Sequence, residues 1–341
     1  MAALIVACLL AASLGFAAHR ASVCTVRAVA ELTSARTGHM LFSIAKASVW
    51  VLAVTLPFFW LMPAAAASLN GWRLTNISVL GGFIFGVGAG INGACAFSTM
   101  ARMVDGEVRM LLTVSGFALG VSGYVALLNR QWLARPAASP ALVGILIDWA
   151  MVLALAPLIW AAYELIRLWR TRPDGASLVS MILAPQYRLS TSAMVIGLTG
   201  SAILLLFGSP GYTATLQNLI EDYIGSQGST ATERWVLFGA VFLGMVLSTS
   251  QRGSFRFDWL PRRSWLRNVV GGALMGLGTA LLPGGNDALV LYGIPSLSPH
   301  APPAFAAMVA GIAAALWLLR RFGVEMRVVC RNDLYIVDVK S

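Results

Sequence analysis

Long apolar runs constrain this chain before any single residue does. Residues 41–63, 110–128, 141–163 and 302–319 hold at most one charge each. Each is about 18 residues or longer, enough for a helix to cross roughly 30 Å of hydrocarbon. Lipid offers no partners to backbone N–H and C=O groups, so such runs dictate helices. Nine apolar segments follow one another, at about 1–18, 40–63, 77–91, 109–128, 141–166, 191–208, 233–250, 268–283 and 302–320. The third and eighth are short and rich in glycine, so they read as spans completed by re-entrant half-helices. The first has no basic stretch before its apolar core and reads as a helix rather than a signal peptide. Hydrophobic residues make up 58% of the 341 positions and charged residues 11%, against about 25% charge in soluble domains. The fold class expected is an all-α polytopic membrane protein, with about nine transmembrane helices plus short re-entrant half-helices in pseudo-repeated halves.

The formal net charge of +10 needs no nucleic acid partner to explain it. With nine spans, take the C-terminus as cytoplasmic and the N-terminus as external. The cytoplasmic loops then collect Arg20, Arg27, Arg102, Arg109, Arg167, Arg188, Arg252, Arg256 and the cations beyond Arg320, among others. Only Arg73, Arg130, Arg135 and Arg234 remain on the external side. Cytoplasmic loops are enriched in this way. The location expected is the cell inner membrane, with the lipid bilayer as a partner.

The two halves echo each other. "LGGFIFGVGAGINGAC" (80–95) lies ungapped over "VGGALMGLGTALLPGG" (270–285), with glycines coinciding at 81/271, 82/272, 86/276 and 88/278. A shorter echo sets "HRASVC" (19–24) over "QRGSFR" (251–256). One permease domain, 1–322, is expected from halves 1–166 and 190–322 joined by the basic linker 167–189. A short cytoplasmic tail, 323–341, follows it. Gly82, Gly86 and Gly90, echoed by Gly272 and Gly276, form ridges of small residues that let helix backbones approach closely in lipid. Paired glycine-interrupted segments in two halves are the best sequence pointer to a transport site. Half-helices starting there present free N–H groups and the positive end of a dipole, which attract anions.

Cys8, Cys24, Cys95 and Cys330 show no CxxC spacing, and His19, His39 and His300 are scattered. Neither a metal site nor a disulfide framework is expected, and no cofactor or nucleotide-binding loop and no catalytic constellation is visible. Cys95 stands in the glycine knot "GAGINGACAFSTM", together with Asn92. A thiol is a weak donor, and conduction requires binding loose enough to release the ion. Cys8 reads as packing. Cys330 lies in an alternating stretch that reads as a small hairpin turning at Asn332 and Asp333.

"GFAAHRASVCTVRAV" (15–29) and "GGFIFGVGAGINGACAFS" (81–98) resemble the cysteine-bearing signatures of the YeeE/YedE sulfur-transport family. "STSQRGSFRFDWLP" and "GGALMGLGTALLPGGNDALVLYGIP" resemble its second-half elements. The resemblance covers about residues 1–320, although its specific motifs are short. It implies nine spans and re-entrant helices in an hourglass-like body, with thiosulfate or a related anion passing along three pore cysteines. It also implies a cytoplasmic sulfur-carrier protein as partner in some members. Cys24 and Cys95 match two of those cysteines. The third would fall at Gly285 and Asn286, where this chain has no thiol. An Asn side chain and the N–H groups of Gly284 and Gly285 could stand in for it.

Arg20 and Arg252 read either as anchors at helix ends or as residues that draw anions toward the pore. Arg256, where Cys24 echoes, is a candidate anion contact. Asp148 is the one acid well inside a span, and reads as a coupling-proton site or as one paired with a cation or helix end. Asp287 reads as an N-cap. The function expected is that of a permease, not an enzyme, moving a small inorganic sulfur anion inward along a pore lined by cysteines and half-helix termini. Its substrate-binding set is Cys24, Cys95, Gly284, Gly285, Asn286, Arg256, Arg20, Arg252 and Asn92. Inward movement of an anion opposes the membrane potential by about 2.3 kcal/mol per charge per 100 mV, so proton coupling or consumption of the substrate has to drive it. The alternatives are a membrane thiol oxidoreductase using Cys24 and Cys95, and a non-transporting membrane subunit of a sulfur-oxidation system.

Overall fold

The computed structural model describes the chain except at residues 1, 64–68, 143–148, 173–176, 210, 225–231, 260–264, 332 and 339–341. Asp148 therefore lies outside the described residues. The first half runs α1 (Ala2–Arg20), α2 (Thr25–Ser34), α3 (His39–Leu61), β1 (Asn70–Trp72), α4 (Asn76–Asn92), α5 (Ala96–Val104), α6 (Arg109–Asn129) and β2 (Ala138–Pro140). Next come α7 (Ala150–Arg170) and the short α8 (Leu178–Ile182). The second half runs α9 (Leu189–Phe207), α10 (Tyr212–Tyr223), α11 (Thr232–Arg252), α12 (Trp265–Leu281), α13 (Asn286–Gly293) and α14 (Ala301–Arg321). A hairpin, β3 (Arg327–Arg331) with β4 (Leu334–Asp338), closes the described chain.

The helices of both halves follow the order long, short, long, long, short, long. Glycine makes two of the breaks. Gly93 at φ 74° ends α4 by donating its N–H back to Ala89 and Gly90, the left-handed cap that only glycine adopts without strain. Gly284, at φ 113°, turns the chain between α12 and α13.

Glycine contacts also set the packing. Gly82 and Gly86 abut the backbone of Ala304 and Met308, and Gly90 abuts Ala315, so α4 runs parallel to α14. Gly272 and Gly276 abut Thr113 and Phe117, so α12 runs parallel to α6. Gly81 meets Leu281 whereas Gly88 meets Gly271, so α4 and α12 cross antiparallel. Equivalent helices thus pair in opposite directions, and the halves are inverted relative to each other, as in many membrane transporters.

Among the described residues, seven helical stretches are long and apolar enough to cross a membrane, or eight if α12 and α13, bent by 43°, count as one broken span. The continuous stretches include α1 with α2 and α4 with α5. The apolar segment left out of this count, 233–250, falls on α11, which has 21 residues. Its polar ends, Thr232-Glu233-Arg234 and 248–252, lower its mean hydropathy, while Gly244 seats it against α1 at Ala12.

The two ends of the body differ. At one, β1 pairs antiparallel with β2, tying the chain beyond α3 to the chain beyond α6. At the other, the β3–β4 hairpin packs against α2, and Leu189 N–H donates to the Asp333 carbonyl (2.8 Å). Helix α3 has 23 residues, about 35 Å of rise, and joins the two ends.

Candidate functional site

Four short helices begin near the centre of the body, and each start is a break in the chain. Cys24 is the N-cap of α2, Cys95 of α5, Gly211 of α10 and Gly285 of α13. Each cap already uses its carbonyl, which accepts from the residue four places on: Ala28 (2.9 Å), Thr99 (2.8 Å), Thr215 (3.1 Å) and Leu289 (3.0 Å). The first N–H groups of every helix lack such partners and carry the positive end of its dipole. Cys95 and Gly285 are the two N-caps that the 190-residue echo superimposes.

Side chains join the four starts into a ring. The thiols of Cys24 and Cys95 interact directly, and the Cys95 side chain also meets the backbone of Thr25. Both cysteines are buried and neither is in a disulfide. Thr25 Oγ1 accepts from Asn286 Nδ2 (3.4 Å), which links α2 to α13. Asp287 accepts from Thr213 N–H (3.1 Å) and from the Thr213 hydroxyl, which links α13 to α10. The Phe97 and Tyr212 rings meet edge to face at 5.0 Å, which links α5 to α10. Cys24, Thr25, Tyr212 and Asn286 line a narrow cleft of 60 Å³ inside this ring. Two buried polar atoms there have no partner, the Tyr212 hydroxyl and Asn286 Oδ1. Buried polar atoms are ordinarily satisfied, so this pair marks where a polar guest would be held.

On the other side of α13 a cavity of 560 Å³ lies toward the β1–β2 end. Pro283, Gly284, Ala288 and Tyr292 form part of its wall, together with Arg135, Glu221 and Arg234. Arg135 and Glu221 pair across it at 3.1 Å. The two spaces therefore flank the same short helix and share its start, where Gly284 lines one and Asn286 the other.

The structure separates the remaining sequence candidates. Asn92 is buried but fully occupied: it donates to Ala94 O (3.0 Å) and Thr99 Oγ1 (3.1 Å) and accepts from Thr113 and Asn268 (2.7 Å each). It fastens α4 to α5, α6 and α12. Arg20 is also buried, and donates to Ser248 Oγ (3.0 Å), Gln251 Oε1 (2.8 Å) and the Ala184 carbonyl. Arg252 and Arg256 are exposed at the hairpin end. The segment after α11 runs extended rather than into a half-helix, with Arg256 N–H bonded to Asp105 O at 2.8 Å. The short echo of 19–24 with 251–256 thus joins elements that are not equivalent. Asp287 is not the N-cap of α13. Gly285 holds that position, and the Asp287 carboxylate instead ties α13 to Thr213.

Sequence reading missed Tyr212 and Thr213. The signal was present in "FGSPGYT", a glycine-rich break in the place where the second half should answer "HRASVC". It also missed a polar cluster at the hairpin end. There His19 contacts Ser248 (2.8 Å) and Asp105 (3.2 Å), while Ser254 donates to Asp105 (2.6 Å). Burial alone would raise the Asp105 pKa, but the bonds from His19, Ser254 and Thr249 hold it below the usual aspartate value.

No curated protein matches this chain. A family model described as sulphur transport matches residues 20–314, a stretch that takes in all four helix starts. The chain belongs to the sulphur-transport (YeeE/YedE) family.

Proposed function

We propose that this sulfur transporter is a permease for thiosulfate or a closely related sulfur oxyanion, moving it into the cytoplasm across the cell inner membrane. The observation that carries this reading is the ring of four helix starts around Cys24 and Cys95. An anion there meets helix starts and dipole ends from several directions, with the Arg27 charge acting on Cys24 and the Asp287 carboxylate already occupied by Thr213. Such a site attracts negative charge yet holds it weakly, as passage requires. The route runs from the 560 Å³ cavity, past Gly284 and Gly285, to the cleft lined by Asn286, Tyr212 and Cys24, whose thiol meets that of Cys95 behind it. The Tyr212 hydroxyl supplies a donor where the third cysteine of the family is missing, beside Asn286, whose amide nitrogen is held by Thr25. The cavity lies at the end that holds Arg73, Arg130 and Arg135, and the hairpin end holds most other cations. This division supports an external cavity, an external N-terminus and a cytoplasmic C-terminus. Asp148 remains the proposed coupling residue, and a sulfur-carrier protein the proposed cytoplasmic acceptor.

Uptake of radiolabelled thiosulfate into proteoliposomes tests the reading, with sulfite and sulfate as competitors. Saturable uptake above that of protein-free liposomes supports it, and its absence with every sulfur anion contradicts it. Contact between two thiols also favours a second reading, a membrane thiol oxidoreductase cycling Cys24 and Cys95. Turnover of a dithiol substrate without uptake would be its signature.

A further inference from the structure

The wall of the large cavity contains an imidazole that the path described above does not use. His300 precedes α14 and lines the cavity, yet is only 2% exposed. One ring nitrogen is accounted for: Nδ1 lies 2.9 Å from Ser298 Oγ. The other, Nε2, is buried and has no partner. Ser298 is in turn fixed by the strand pair, because the backbone N–H of Trp72 in β1 donates to Ser298 Oγ at 3.0 Å. Gly71 makes room for this, since a side chain there would strike the Ser298 hydroxyl. With its oxygen accepting from Trp72, the serine can donate its own proton to Nδ1. The imidazole proton then sits on Nε2.

We propose that His300 is an anion-binding residue of the cavity, presenting a neutral Nε2–H donor to an oxygen of the incoming oxyanion. Trp72 N–H donates to Ser298 and the Ser298 hydroxyl to His300, which leaves Nε2–H as the one unused donor of the relay, on a ring that carries no charge. A donor-only contact selects anions whose oxygens are unprotonated acceptors, and rejects a group that must donate at that point. The discrimination is large because a buried donor left unpaired is costly. His300 thus forms a capture site ahead of the cysteines, on the same route. The inference rests on the permease reading for the identity of its ligand.

The test is equilibrium binding of radiolabelled thiosulfate to the detergent-purified full chain, followed by initial uptake rates in proteoliposomes. Wild type is compared with His300→Leu, which keeps bulk and removes the donor. His300→Gln is the second variant, because its amide N–H can replace Nε2–H. We expect His300→Leu to weaken binding and raise the uptake KM by about tenfold or more, as loss of a hydrogen bond to a charged group does. The saturating rate should change far less. His300→Gln should recover most of the affinity, which a purely structural role for the ring would not produce. Wild-type affinity in His300→Leu would overturn the assignment and leave the permease reading intact. Failure of glutamine to recover affinity that leucine loses would also overturn it. Absence of thiosulfate binding by the wild type would overturn both.

Discussion

The four cysteines show how little a residue type means without its position. Cys24 and Cys95 cap half-helices at the centre, whereas Cys330 sits in the terminal hairpin against Glu31. Burial, and then the neighbouring Glu31 carboxylate, push the Cys330 thiol up to about 12. It stays a thiol through the neutral range, and the thiol is the poor nucleophile of the pair. Maleimide labelling of the folded protein at pH 8, read by mass spectrometry, should leave Cys330 unmodified until the chain is denatured. Labelling at the rate of a free cysteine would show that the hairpin does not bury it. Cys24 and Cys95 were legible in the sequence because glycine surrounds one and a family signature the other. His300 was not, since nothing in "PSLSPHAPP" reveals that one ring nitrogen is satisfied locally and the other is left bare.

Among the elements, glycine ridges were legible because close helix approach in lipid requires them. Gly86 and Gly276 abut the backbone of Met308 and Phe117, which has no rotamer to move aside. Gly86→Leu and Gly276→Leu should each destabilise the protein by about 1–3 kcal/mol or more through overpacking. Gly123→Ala and Gly239→Ala, which meet no atom within 4 Å, should be close to neutral. Thermal unfolding in detergent separates the two sets, and equal losses would contradict the packing described here. A second prediction concerns the start of α6. Burial would raise the Glu107 pKa, but Arg102 (2.7 Å) and Arg109 (2.6 Å) hold it below the usual 4.5. A depressed carboxylate pKa adds stability above the unfolded value, and that gain is lost as pH falls through the folded one. Glu107→Gln should therefore lower the melting temperature at pH 7 and cost progressively less below pH 4.5. An offset that does not change with pH would contradict the ion-pair account. The Gly211 break escaped notice because its partner was sought beside Arg252, at the end of the wrong helix.

The whole molecule is an inverted pair of helix sets meeting where their chains break. Its membrane character, the helical segments and the first repeat could be read from apolar runs and glycine spacing, which are local signals. The ring of helix starts could not, because Thr25 with Asn286 and Thr213 with Asp287 are contacts across distant sequence. The order of the helices puts α2 and α5 opposite α10 and α13, so the two halves contribute equally to the ring of helix starts, the proposed passage. At this scale the account claims that an anion crosses between Cys24 and Cys95. The most direct measurement is the initial rate of thiosulfate uptake by proteoliposomes of wild type, Cys24→Ala, Cys95→Ala and, as a control beyond the passage, Cys8→Ala. The account predicts a fall of about tenfold or more for Cys24→Ala and for Cys95→Ala, with Cys8→Ala close to wild type. Wild-type uptake in both central variants would contradict it.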